Sequence, residues 1–132
     1  MKLLLDTNIF LDVLFKREFY KEAVQILNAI EEGLFEAAVL DITLLNIDYV
    51  AKKQHANIRE FLTAINRHCT VVGADNQDFT DALRIKNADL EDNVHYVVAQ
   101  KSGVDVIVTN DQSFYSEHID VLRSVEFVET YL

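Results

Sequence analysis

The 132-residue chain contains no proline, three glycines and a single cysteine, Cys69. Without proline- or glycine-rich stretches there is no candidate linker, and the length favours one domain spanning residues 1–132. A lone cysteine excludes an intrachain disulfide and a zinc site built from several cysteines, so we expect a reducing, cytoplasmic environment. Cys69 leads into a predicted buried strand and is interpreted as a core residue rather than a nucleophile.

Basic residues are also scarce: the chain has 12 Lys and Arg but 22 Asp and Glu, which gives a formal net charge of −10. This balance argues against a nucleic-acid binder that uses a broad basic face, but it leaves open an enzyme whose metal ions contact phosphates. No apolar run approaches the roughly 18 residues of a membrane span, so no membrane association is expected. Glycine-rich phosphate loops, the GxSxG nucleophile motif and the HExxH zinc motif are all absent.

Hydrophobic patterning predicts alternating strands and helices. The predicted strands are residues 2–5, 35–40, 70–72 and 104–108, with a weak strand at 120–122. The predicted helices are residues 7–15, 21–32, 41–53, 58–68, 76–85 and 90–102, followed by a short helix at 112–115 and a last turn from Val125. This alternation predicts an α/β fold, a three-layer α/β/α sandwich with a mostly parallel central sheet.

Acidic residues follow several of the predicted strands, at the sheet edge where parallel α/β proteins bind ligands. Asp6 follows the first strand, Asp41 the second and Asp111 the fourth, while Asp89 and Asp92 share a face at the start of the preceding helix. Clustered carboxylates repel one another unless a cation is present, and hard oxygen ligands suit Mg²⁺ or Mn²⁺. The hypothesis is metal-dependent phosphodiester hydrolysis by an activated water. The alternative is that each acid only caps a helix N-terminus.

Three blocks of the chain resemble the signature motifs of the PIN domain family. They are LLLDTNIFLDVL at 3–14, DLEDNVHYVVAQ at 89–100 and VIVTNDQSF at 106–114, and their order and spacing fit nearly the whole chain. The resemblance implies a PIN-like parallel sheet with strand order 3-2-1-4-5 and a ribonuclease that depends on Mg²⁺ or Mn²⁺. It also implies a toxin of the VapBC type with an RNA substrate, an antitoxin partner and a homodimer. Apolar residues beyond the needs of the core, in the helices between residues 21 and 68, are candidates for the dimer contacts.

The same resemblance implies roles for individual residues. Asp6, Asp92 and Asp111 are the implied metal-binding and catalytic residues, and Glu91 is a further candidate metal ligand. The expected supporting residues are Asn8, Asn46, Thr109, which helps to order Asp111, and Asp89.

Asn46 marks a departure from the family pattern. Many PIN domains carry a glutamate early in the helix after the second strand, and the matching position here is Asn46. Its amide can offer a carbonyl oxygen to a metal or bind a metal-bound water, but it supplies no charge, so metal affinity should fall. The alternative function is therefore a catalytically weak or inactive PIN-fold module that binds RNA or a protein.

Two further expectations concern substrate contacts and a histidine. His95 lies three residues after Asp92, and it either approaches the site or is a satisfied structural residue. Any bound RNA is expected to meet basic residues from the set Lys16, Arg17, Lys52, Lys53 and Arg59.

Overall fold

The computed structural model describes all 132 residues and contains one five-stranded sheet. The strands are β1 (Lys2–Leu5), β2 (Glu36–Leu40), β3 (Thr70–Val72), β4 (Val106–Val108) and β5 (Asp120–Leu122). All neighbouring strands pair in parallel, in the order β3-β2-β1-β4-β5, which confirms the predicted strand order.

Seven helices connect and cover these strands, and none of them is long and apolar enough to span a membrane. They are α1 (Thr7–Leu14), α2 (Tyr20–Glu31), α3 (Asp41–Ala51), α4 (Ile58–His68), α5 (Asn76–Arg84), α6 (Leu90–Lys101) and α7 (Ser124–Tyr131). Gly33 and Gly103, with φ of +81° and +69°, each follow the residue that caps the C-terminus of α2 or α6, where helix-ending glycines are common.

Two hydrophobic cores lie on opposite faces of the sheet, because successive strand residues point to opposite sides. Leu3 and Leu5 of β1 pack into a core with α1, α2, α3, α4 and α7. Leu4, between them, packs into a second core with α5 and α6. The predicted three-layer α/β/α architecture is therefore confirmed, and β1 is the middle strand of the sheet, between β2 and β4.

The structure corrects the prediction that Cys69 heads a buried strand. β3 is a largely exposed edge strand, and Cys69 ends α4 instead, half-buried against the first core. Burial raises the pKa of the Cys69 thiol to about 11, so the thiol stays protonated and behaves as a packing group.

The predicted short helix at 112–115 is also wrong. The side-chain Oδ1 of Asp111 accepts hydrogen bonds from the backbone N and the Oγ of Ser113 at 2.9 and 2.8 Å, which holds the chain in a turn. Conversely, the predicted last turn is the full helix α7, which is anchored by the fully buried Phe127.

Candidate active site

Two of the predicted acids leave adjacent central strands at the carboxyl edge of the sheet. Asp6 directly follows β1, and Asp111 lies in the loop after β4. The backbone N–H of Asp6 donates to the carbonyl of Val108 at 3.0 Å, so the pairing of β1 with β4 continues up to the acid. Asp6 is only 4% exposed.

A cluster of three carboxylates forms where α6 begins beside this edge. One side-chain oxygen from each of Asp89, Asp92 and Asp111 lies within 4.8 Å of the other two. Asp89 is exposed, Asp92 is buried and Asp111 is intermediate. Oδ1 of Asp89 also accepts from the backbone N of Asp92 at 3.1 Å, so Asp89 caps α6 while belonging to the cluster.

Thr109 connects Asp6 to Asp111. Its fully buried hydroxyl donates to Oδ2 of Asp6 at 2.7 Å and accepts from the backbone N of Asp111 at 3.1 Å. A hydroxyl has one proton to donate, so each of these bonds has a defined direction. The contact with the backbone of Asp111 fits the ordering role expected of Thr109, and the contact with Asp6 was not anticipated from the sequence.

The acids of the site have opposite electrostatic environments. Burial, above all, raises the pKa of Asp92 to about 8, and the hydrogen bond with Asp111 and the charges of Asp89, Asp6 and Asp111 add to this. Hydrogen bonds from the side chain and backbone of Ser113 lower the pKa of Asp111. At neutral pH Asp92 therefore favours its protonated form, while Asp111 favours its charged form.

The donor set fits a divalent cation. Oδ2 of Asp92 is the one buried side-chain oxygen or nitrogen of the protein that has no hydrogen-bond partner. The four ion pairs of the structure involve other acids, so no lysine or arginine neutralises Asp6, Asp89, Asp92 or Asp111. A buried, unsatisfied carboxylate oxygen among further carboxylates is an arrangement that a hard cation such as Mg²⁺ or Mn²⁺ would satisfy.

Glu91 and Asn46 lie next to this cluster and bond to each other. The Nδ2 of Asn46 donates to Oε1 of Glu91 at 3.2 Å, and Glu91 is not among the three carboxylates that lie within 4.8 Å. Asn8, at the start of α1, is exposed and makes no side-chain hydrogen bond within the protein. The supporting roles of Asn8 and Asn46 remain predictions.

His95 lies in the interior of the protein and bonds to the backbone at the start of α6. It is fully buried, and its Nδ1 donates to the backbone carbonyl of Glu91 at 2.9 Å. Its Nε2 lies at the long distance of 3.5 Å from the hydroxyl of Thr43, and the hydroxyls of Thr43 and Thr7 lie 3.0 Å apart. Of the two interpretations of His95, the structure favours the satisfied structural histidine.

The five basic residues that are expected to contact RNA are all exposed: Lys16, Arg17, Lys52, Lys53 and Arg59.

Sequence reasoning missed the pair formed by Asp12 and Asn110. Asp12 is only 6% exposed, and burial raises its pKa. Asn110 donates to Oδ2 of Asp12 at 2.9 Å, and its Oδ1 accepts from the N and Oγ of Ser124, both at 3.0 Å. Asn110 thereby ties α1, the β4 loop and α7 together. The available signal was an acid placed within the apolar stretch NIFLDVL of α1.

A half-open apolar cavity lies apart from the acids, between α1, α2 and α4. Nine of its twelve lining residues are hydrophobic, and none of the clustered carboxylates contributes to it. Its aromatic and aliphatic walls include Phe10, Val24, Leu27 and Phe61.

Comparison with known proteins identifies relatives over almost the full length. The chain is 27% identical to Ribonuclease VapC1 of Aquifex aeolicus (strain VF5), with 97% of this chain and 94% of that protein aligned. A toxin–antitoxin complex from Klebsiella pneumoniae contains a chain of the same fold, with a TM-score of 0.70 at 21% identity. That match covers 92% of this chain and 97% of the other.

VapBC2 from Rickettsia felis, solved bound to a DNA fragment from its promoter, also contains a chain of this fold. The TM-score is 0.66 at 13% identity, over 93% of this chain and 98% of the other. The PIN domain sequence profile matches residues 2–113, which include all three blocks that carry the resemblance except the last residue of the third. The chain therefore belongs to the PIN domain family.

Proposed function

We propose that this protein is a metal-dependent endoribonuclease that hydrolyses phosphodiester bonds in RNA, and that it is the cytoplasmic toxin of a toxin–antitoxin pair. Membership of the PIN domain family and the similarity to Ribonuclease VapC1 support a nuclease. The observation that carries the metal dependence is the buried, unpartnered Oδ2 of Asp92 within a cluster of three carboxylates.

Asp6, Asp92 and Asp111 are the proposed catalytic residues and ligands of Mg²⁺, or of Mn²⁺ in its place. Asp89 lies close enough to Asp92 and Asp111 to bind the same ion or a water bound to it. Glu91, which is not one of these three clustered carboxylates, is proposed as an additional ligand. When bound, such an ion supplies a more acidic water and offsets the negative charge of the phosphate.

The residues of the chain would prepare this site in two ways. Thr109 holds Asp6 and Asp111 at a fixed separation, so that little conformational freedom is lost when they act together. Asp92 would lose the proton that it keeps at neutral pH, so that its charged carboxylate can act as a ligand.

The direct test is cleavage of a single-stranded RNA with Mg²⁺ or Mn²⁺ and with excess chelator. We expect cleavage that requires the metal, is lost in Asp6→Asn and is retained in Glu36→Gln, an exposed acid at the opposite edge of the sheet. Cleavage that persists in Asp6→Asn, or that is unchanged by excess chelator, would contradict the proposal.

A catalytically weak binding module is the second candidate, and Asn46 favours it. The side chain of Asn46 adds no charge and already donates to Glu91, so the site has one carboxylate fewer than many family members. Calorimetry with Mn²⁺ separates the two functions. Absence of heat, together with RNA binding but no cleavage that depends on Asp6, would favour the binding module.

An antitoxin polypeptide is the proposed protein partner. Structural neighbours from two bacteria are chains of toxin–antitoxin complexes. The apolar cavity between α1, α2 and α4 would accept apolar side chains of such a partner, and the net charge of −10 favours a basic one. Co-expression with the product of the neighbouring gene should yield a complex that Phe61→Asp weakens and Phe79→Asp, on α5, does not.

A homodimer is the proposed quaternary state. Leu45 and Tyr49 on α3 expose 66% and 77% of their surface, and α3 lies within the range in which the dimer contacts are expected. Light scattering should give twice the chain mass of 15.1 kDa, and Leu45→Glu should shift the protein toward monomer. A monomer at micromolar concentration would refute this state.

A further inference from the structure

One cation, Arg123, lines the same surface depression as Asp111. We infer that Arg123 binds a phosphate of the RNA strand beside the phosphate that is cleaved. The inference rests on the proposed nuclease function and adds a substrate-positioning residue to it. The depression also includes Thr109, Gln112 and Phe114.

The backbone on either side of Arg123 is fixed against the loop that carries Asp111. On one side, the N–H of Thr109 donates to the carbonyl of Leu122 at 3.0 Å, which continues the pairing of β4 with β5. On the other side, the N and Oγ of Ser124 both donate to Oδ1 of Asn110 at 3.0 Å. Arg123 thus leaves the carboxyl edge of the sheet alongside the segment that leads to Asp111.

The guanidinium of Arg123 is paired with Glu126 on one side only. Its Nε donates to Oε1 of Glu126 at 3.1 Å, and the backbone N of Arg123 donates to the same oxygen at 3.0 Å. Neither terminal amino group has a hydrogen-bond partner in the protein, and the Arg123 side chain is 43% exposed. Two free amino groups on a planar fork match two oxygens of one phosphate.

The other residues of the depression suit a single strand of RNA. Phe114 offers an aromatic ring on which a base can stack, and Gln112 offers an amide that can bond to a base edge. A strand that approaches the acid cluster meets strong negative charge, and Arg123 is the basic residue that offsets it in this depression. The bases predicted from the sequence to meet RNA do not line it.

The test compares Arg123→Gln with Glu126→Gln in steady-state RNA cleavage with Mn²⁺. For Arg123→Gln we expect KM to rise by about tenfold with kcat within about twofold, as for the loss of one charge-assisted phosphate contact. In the non-cleaving Asp6→Asn background, the slope of log affinity against log salt should fall by about 0.7, the value for one single-strand phosphate. Arg123→Lys, which keeps the charge but loses the fork, should be intermediate.

Glu126→Gln distinguishes phosphate binding from a purely structural ion pair. Both substitutions break the ion pair, so a structural role predicts that both raise KM alike. Phosphate binding predicts that Glu126→Gln leaves KM unchanged or lowers it, because a negative charge beside the strand is removed. Arg67→Gln, at the end of α4 on the opposite edge of the sheet, is the matched arginine control with unchanged KM.

An unchanged KM and salt slope in Arg123→Gln, while the wild-type protein cleaves RNA, would overturn this inference alone. Equal effects of Arg123→Gln and Glu126→Gln would overturn it as well. If the wild-type protein neither cleaves nor binds RNA, the proposed function fails, and the assignment of Arg123 fails with it. Mn²⁺ calorimetry on Arg123→Gln should match the wild type, which shows that the acid cluster is intact in the variant.

Discussion

Asp92→Asn should stabilise the metal-free protein at neutral pH while it removes metal binding. The pKa of Asp92 rises from 3.8 to about 8 on folding, so the folded protein keeps this side chain neutral whereas the unfolded chain ionises it. At pH 7 this difference costs the fold about 4 kcal/mol as an upper bound, at about 1.36 kcal/mol per pKa unit. Because Asp89 is exposed and admits water, we expect a gain of about 1–3 kcal/mol.

The pH dependence of this gain follows from the sign of the pKa shift. A raised folded-state pKa contributes no penalty below about pH 4, where Asp92 is protonated in both states. The penalty grows as the pH rises and is complete above about pH 8. Asparagine resembles the protonated acid in shape and never ionises. The stability difference between Asp92→Asn and the wild type should therefore be small at pH 4 and largest above pH 8.

Thermal unfolding followed by circular dichroism, with chelator present, measures this difference. A gain of 1–3 kcal/mol corresponds to a rise in Tm of about 3–12 °C for a chain of this length. Addition of Mn²⁺ should raise the Tm of the wild type and leave Asp92→Asn unchanged. A variant that melts at or below the wild-type temperature at pH 8 would refute the idea of a buried acid held neutral.

Asp111→Asn is the matched control for this experiment. Hydrogen bonds from Ser113 lower the pKa of Asp111, so the folded state favours its charged form. Removing that charge should therefore give no gain in Tm at pH 8, although the response to Mn²⁺ should also be lost. A gain equal to that of Asp92→Asn would mean that general charge repulsion, rather than the burial of Asp92, determines the effect.

Three further predictions concern the same site. Binding of Mn²⁺ at pH 7 should release about 0.9 proton from Asp92, measurable by calorimetry in buffers of different ionisation enthalpy, and zero release would contradict its raised pKa. Thr109→Val should lower stability by about 1–3 kcal/mol in denaturant unfolding and weaken Mn²⁺ binding, because Asp6 and the backbone of Asp111 lose a buried partner. Asn46→Glu should tighten Mn²⁺ binding and lower the metal-free Tm at pH 7.5, since it adds a carboxylate beside other acids. Unchanged affinity would show that Asn46 lies too far from the ion.

The local sequence predicts most of the secondary structure because burial here follows simple periodicities. The apolar runs at Leu3–Leu5 and Val106–Val108 become central strands, buried on both faces. The prediction fails between 112 and 115, where the side chain of Asp111 accepts hydrogen bonds from the backbone N and the Oγ of Ser113 and holds the chain in a turn. Such bonds alter neither the composition nor the periodicity of the segment, so the hydrophobic pattern does not reveal them.

The amino-acid sequence by itself determined the alternating fold, the family and the acids that end its strands, because strand order, motif spacing and burial follow from short segments. Only the tertiary structure decided how those acids differ. It brought Asp89 and Asp92 into one cluster with Asp111, left one oxygen of Asp92 without a partner and linked Asp6 to Asp111 through Thr109. These properties depend on contacts between residues up to 103 positions apart, since the pKa and the hydrogen bonds of a carboxylate depend on everything that surrounds it.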